Sequence, residues 1–246
     1  KMVKMQLLLS SQKIQSAKEL YKELSTEKIN EDLKAGMQGR ILLLEKNYKD
    51  AIAKLIPFYN AYPSSRNAIY LAVAYQANQQ VTFATSTLEN HLLTNKKDDR
   101  VRAILAHLYL QGETDKALQT YQLLVKTQPD NVLVNNNLAW LYMEKEDIDN
   151  ALLYSKKAYL LAPKSPEVVD TYAQSLFKSG RKSIALEQSE KAYALSEGKS
   201  VDITLNYIKV LIANGLNKKA TLLLVNTNAD SEGQKQIKQV LQKMLQ

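Results

Sequence analysis

The sequence predicts an all-α chain, a solenoid of helix–turn–helix repeats, and three observations carry that reading. Leu, Ala, Lys, Gln and Glu, the better helix formers, dominate the composition. Only 7 glycines and 5 prolines occur in 246 residues, too few for a β-rich chain with many tight turns. Small residues recur at Ala17, Ala51, Ala84, Ala117, Ala151, Ala185 and Ala220, in steps of 34, 33, 33, 34, 34 and 35. A period of this size marks a repeat array whose units bury their apolar faces against one another.

Each unit reads as two amphipathic helices. In residues 132–165, Leu138, Ala139 and Tyr142 line one face of a first helix, and Ala151, Ser155 and Ala158 line the second. Small side chains there let the helices approach to the short end of the roughly 8–10 Å packing range. Gly112, Gly180 and Gly215 fall between paired helices, where a left-handed residue is common. Pro63, Pro129 and Pro163 follow second helices and stop them. Ser165-Pro166-Glu167 then opens a unit as N-cap, first-turn proline and first-turn acid.

In chain order, residues 1–31 fit a unit lacking its first positions, with Ala17, Tyr21 and Leu24 on its second helix. The chain is therefore expected to begin inside a helix of a longer array. Units then follow at 32–64, 65–97, 98–131, 132–165, 166–200 and 201–234. Pro57 lies inside a second helix and is expected to kink its last turn. Residues 235–246 read as a capping helix, with Ile237, Val240, Leu241, Met244 and Leu245 as its apolar stripe and Gln and Lys elsewhere.

The pattern resembles the tetratricopeptide repeat (TPR), a helix–turn–helix of 34 residues. Leu138, Ala139, Tyr142, Ala151, Ala158 and Pro163 match its motif, as do Leu71, Ala72, Tyr75 and Ala84. The motif's first tryptophan is missing, Glu197 stands in place of a final proline, and His91 stands where alanine is usual. The resemblance covers residues 1–234. It implies a right-handed superhelical α-solenoid in which first helices line a concave surface and second helices a convex one, and in which the concave surface holds partners.

On that surface the only tryptophan, Trp140, falls between the core positions Leu138 and Tyr142, with Asn136 and Met143 as neighbours on its face. The same stripe in adjoining units contains Arg102 and Tyr109, then Asp170, Gln174 and Phe177, then Leu205 and Lys209. Aromatic anchors beside hydrogen-bonding groups suit an extended peptide or docked helix, and also a sugar chain stacked on Trp140 and Tyr109. Packing between first helices is the competing reading for Tyr109, Met143 and Phe177. The basic–amide set by which some TPR domains hold a terminal carboxylate is not reproduced, since Asp170 would repel the ligand.

Formal charge is +8, divided as about +6, −1 and +3 over residues 1–97, 98–200 and 201–246. No long basic run occurs, and lysines alternate with acids, so nucleic acid is not an expected partner. The two histidines, His91 and His107, have no nucleophile or acid placed with them by a motif, and phosphate-binding loops and metal-ligand spacings are missing. No enzyme activity, cofactor or metal is expected. No stretch is long and apolar enough to be a transmembrane segment, and the absence of cysteine suits cytoplasm and periplasm alike.

Residues 136–180 resemble bacterial TPR proteins tied to envelope polysaccharide export, in particular the TPR lipoproteins accompanying PEP-CTERM/exosortase exopolysaccharide systems. This likeness implies a periplasm-facing location and an N-terminal lipid anchor ahead of the present residues, with the cytoplasm as alternative. The expected function is a non-catalytic scaffold holding a protein or peptide segment on its concave face in such an assembly. The alternative is an adaptor that binds exported polysaccharide directly.

Overall fold

The computed structural model describes all 246 residues, which form fifteen α-helices and no strand. The chain divides into two compact units, Lys1–Thr120 and Tyr121–Gln246. The first holds α1 (Met2–Ser10), α2 (Ile14–Ser25), α3 (Glu31–Leu44), α4 (Tyr48–Ala61), α5 (Ser65–Ala77), α6 (Val81–Thr94) and α7 (Asp99–Tyr109). The boundary falls within α8 (Thr114–Thr127). The second unit holds α9 (Val132–Glu144), α10 (Ile148–Leu161), α11 (Pro166–Lys178), α12 (Lys182–Leu195), α13 (Val201–Ala213), α14 (Asn217–Asn226) and α15 (Glu232–Met244).

Packing follows chain order within each unit. In the first, α3 packs on α4, α4 on α5, α5 on α6 and α6 on α7. In the second, the same succession runs from α9 to α14, and the first helices α9, α11 and α13 also touch in sequence. All seven alanines of the recurring series are 0% exposed. Any larger side chain at these points would have to push two helices apart.

A second column lies five residues ahead of the alanines. Gln12, Lys46, Gln79, Gly112, Glu146, Gly180 and Gly215 all have positive φ. The chain must leave one helix and enter the next within a few residues, and a left-handed residue makes that reversal. The turn is tied by the next N–H reaching back to the last turn of the first helix. Asn47 donates to Leu42 O, Asp147 to Tyr142 O (both 2.9 Å) and Arg181 to Leu176 O (3.0 Å). Glycine marks three of these turns; Gly180 and Gly215 are left-handed and Gly112 is more extended at φ 149°, while Gln12, Lys46, Gln79 and Glu146 are left-handed with a Cβ.

Where the sequence departs from the motif, the structure supplies local reasons. His91 is buried on α6 and bridges two helices: its Nδ1 lies 3.2 Å from the Tyr59 hydroxyl and its Nε2 3.0 Å from Asp98 Oδ2. The ionised Asp98 carboxylate only accepts, so Nε2 carries a hydrogen and donates it. After α12, the left-handed pair Glu197-Gly198 takes over the stop that proline provides elsewhere. Helix α4 continues through Pro57 to Ala61. Against it, α3 approaches so closely that a Cβ on Gly36 would lie 2.5 Å from the Phe58 ring, and one on Gly39 2.8 Å from Leu55.

The terminal helix α15 opens with a capping box between Ser231 and Gln234. Its five apolar residues do not form one buried stripe. Leu241 and Leu245 pack into the cluster around Leu205, Ile208 and Leu211, whereas Ile237, Val240 and Met244 are exposed. At about 100° per residue the two sets lie on adjoining faces, and only one meets α13.

Candidate partner-binding face

The second unit brings most of the predicted site residues onto its three first helices. On α9, Asn136 and Trp140 are one turn apart and therefore share a face. Trp140 is 42% exposed, and its ring has no aromatic or cationic partner. Met143 differs: it is 5% exposed, accepts a 3.4 Å contact from Ser175 Oγ at its sulfur, and its carbonyl accepts from Lys178 Nζ at 3.0 Å. Met143 therefore packs α9 onto α11.

Helix α11 carries Asp170, Gln174 and Phe177. Asp170 is 9% exposed, and its Oδ2 accepts a 2.7 Å hydrogen bond from Asn206 Nδ2 on α13. Burial pushes the Asp170 carboxyl up to about 7; donation from Asn206 opposes the shift, and the Asp202 charge adds to it. Gln174, one helical turn on, also eases the charge, although its Nε2 makes no hydrogen bond. Three buried polar atoms on this face consequently lack a partner: Asn136 Oδ1, Asp170 Oδ1 and Gln174 Nε2. Native proteins leave few such atoms, and each calls for a reason. Phe177 is half-buried, with the exposed Lys209 ammonium 5.5 Å from its ring centroid.

The remaining two predicted residues belong to the first unit. Arg102 is half-buried on α7 and donates to Asp99 and to the Lys96 carbonyl, so its guanidinium fastens the first turn of its own helix. Tyr109 is 5% exposed, its hydroxyl donates to Glu89, and Lys116 lies 5.2 Å from its ring centroid. Burial and the Glu89 carboxylate raise its hydroxyl pKa. Both side chains are engaged by their own unit. Of the histidines, His91 is committed to Tyr59 and Asp98, while His107 is exposed.

Asn206 is the site residue that sequence reasoning missed. Counting by register placed Leu205 beside Asp170, yet Leu205 is 1% exposed core and its neighbour makes the bond. Asn206 lies 36 residues from Asp170, one beyond the 35-residue step that leads to Leu205, so counting by register does not reach it.

No protein-family model matches the chain, and no curated protein is significantly similar to it. Solved structures are. A structure of MamA AMB-1 is 26% identical with a TM-score of 0.59, covering 67% of this chain and 98% of its own. A structure of MamA MSR-1 gives 23% and 0.58, covering 69% and 98%. The C-terminal part of a TPR repeat-containing protein from Cytophaga hutchinsonii is 13% identical with a TM-score of 0.73, covering 96% of this chain and 99% of its own. The fold is therefore an all-α repeat fold of the TPR type.

Proposed function

We propose that the chain is a non-catalytic scaffold that holds a segment of a partner protein on the first-helix face of its second unit. The observation carrying this reading is Trp140, an exposed indole on the same face as buried polar atoms that have no partner. An aromatic anchor with hydrogen-bonding groups around it is the usual composition of an interaction hot spot. Asn136 Oδ1 and Asp170 Oδ1 would accept from backbone N–H groups of an extended segment, and Gln174 Nε2 would donate to a carbonyl. Phe177 and Lys209 would flank it. Tyr109, Met143 and Arg102 stand outside this set because their own surroundings already engage them.

The likeness of residues 136–180 to TPR lipoproteins of exopolysaccharide systems supports a partner in bacterial envelope assembly, on the periplasmic side. The same indole favours a second reading, direct binding of exported polysaccharide, since an exposed Trp face bordered by amide and carboxylate groups also suits a pyranose ring. Capture from native extract, with wild type and Trp140→Ala side by side and both protein and sugar assayed, separates them. A protein retained only by the wild type supports the scaffold; a polysaccharide retained only by the wild type supports the adaptor. Equal recovery by both forms rejects this face. Cell fractionation tests the location.

A further inference from the structure

The first unit contains an open cavity of about 500 Å³ that takes no part in the face described above. Arg40, Arg66 and Arg100 line it, with Ser64, Phe58 and Tyr62, and no carboxylate is among its walls. None of the three guanidiniums has an ion-pair partner, although other cations of this unit do: Lys18 pairs with Glu45, Lys34 with Glu31 and Arg102 with Asp99. Arg40 is half-buried and stacks on Tyr70, 4.5 Å from its ring centroid. Burial lowers its pKa; Tyr70 opposes the shift and the Arg66 charge adds to it.

Beyond the Arg40 contact with Tyr70, folding gains nothing evident from this arrangement. Arg66 and Arg100 occupy the second position of α5 and α7, 34 residues apart, at the helix end whose dipole disfavours cations. Like charges gathered around a cavity, one of them partly desolvated, are relieved by an anion from outside. Guanidinium forks bind tetrahedral oxyanions through paired N–H groups. Ser64 adds a donor: its Oγ accepts from the Asn67 N–H at 3.3 Å, which leaves its own hydrogen free. Three cations suit a dianion with three terminal oxygens better than a lone carboxylate. Phe58 and Tyr62 offer apolar walls for the carbon skeleton that carries it. A long polyanion is disfavoured, because no basic run extends from the cavity along the sequence.

We propose that this cavity binds the phosphoryl dianion of a phosphomonoester through Arg40, Arg66 and Arg100. Two sources share that chemistry, a phosphorylated side chain of a partner segment and a small phosphorylated molecule. The test is fluorescence anisotropy on the full chain at low salt, with a labelled phosphoserine peptide, the same peptide with serine, and the same peptide with glutamate. The phosphoserine form is expected to bind at least tenfold tighter than either, and this comparison needs only the wild type. Arg66→Gln/Arg100→Gln is expected to lose at least tenfold, whereas Arg181→Gln/Lys182→Gln, an equal loss of charge elsewhere, stays within twofold. Competition by inorganic phosphate or free phosphoserine at millimolar concentration identifies a small-molecule source; competition only by the unlabelled phosphopeptide identifies a side-chain source. Equal binding of the phosphoserine and serine forms, equal binding of the glutamate form, or equal losses in both double variants would overturn the proposal.

Discussion

Asn206 donates a 2.7 Å hydrogen bond to Asp170 Oδ2, joining α13 to α11, while Oδ1 of the same carboxylate is buried with no partner. Burial outweighs the relief that Asn206 and Gln174 give the charge, which is why the carboxyl is pushed up to about 7. The sign of the linkage follows. With the folded value raised above the unfolded one of about 3.9, the folded state holds the extra proton between them, and stability from this group falls as pH rises from about 4 to 7. Asp170→Asn retains an acceptor for Asn206 and removes the charge. It is expected to stabilise the protein by roughly 1–3 kcal/mol at pH 8 and by little at pH 4. Urea unfolding at the two pH values checks this, and an identical difference at both would count against a buried charge.

The left-handed turns make a second prediction. Lys46 and Glu146 hold positive φ where three equivalent turns have glycine. Left-handed backbone costs a residue with a Cβ roughly 1–2 kcal/mol, of which glycine returns part as unfolded-chain entropy. Lys46→Gly and Glu146→Gly are each expected to raise stability by about 0.5–1 kcal/mol. Thermal melts of the two single variants and the double variant would show it; destabilisation by either would contradict the turn geometry.

The alanine column predicts the opposite response. Ala151 is fully buried where α10 meets α9, so Ala151→Met adds volume to a packed helix crossing. Overpacking of this kind costs typically 1–3 kcal/mol. Ala53, exposed on the outer face of α4, serves as control, and Ala53→Met should leave the melting temperature nearly unchanged.

His91 is expected to be sensitive because both ring nitrogens are engaged. His91→Ala leaves the Tyr59 hydroxyl and the Asp98 carboxylate short of a partner and opens a void, at a cost of about 2–4 kcal/mol. Tyr59→Phe in the His91→Ala background should then cost less than Tyr59→Phe alone. Additive losses in this double-mutant cycle would deny the bridge.

Much of the fold was legible because it rests on spacing. Ala17 to Ala220 are small for a reason that acts at every crossing, and Gly112, Gly180 and Gly215 all sit at turns with positive φ. The equivalent turns at Lys46 and Glu146 were not legible from residue type, since the neighbouring helices impose that conformation on side chains that disfavour it. The candidate face was legible only in part. Trp140 stood out as the one large aromatic between core positions, and it is exposed. Met143 and Tyr109 lie at similar register but are buried, because Ser175, Lys178 and Glu89 reach them from neighbouring helices, contacts that periodicity does not encode. Asp170 with Asn206 escaped because the bond runs to the residue after Leu205, 36 positions from Asp170 and outside the repeat step. The cavity arginines escaped because Arg40, Arg66 and Arg100 converge only in three dimensions.

Trp140 is the only tryptophan, so its fluorescence reports the proposed site directly. The most direct measurement is the emission spectrum of the folded protein, with acrylamide quenching, before and after addition of the partner captured from extract. A half-exposed indole predicts red-shifted, quenchable emission in the free protein, then a blue shift and protection on binding. Emission that is already blue and protected in the free protein, or that does not move when the partner binds, would contradict a role for Trp140 as the anchor.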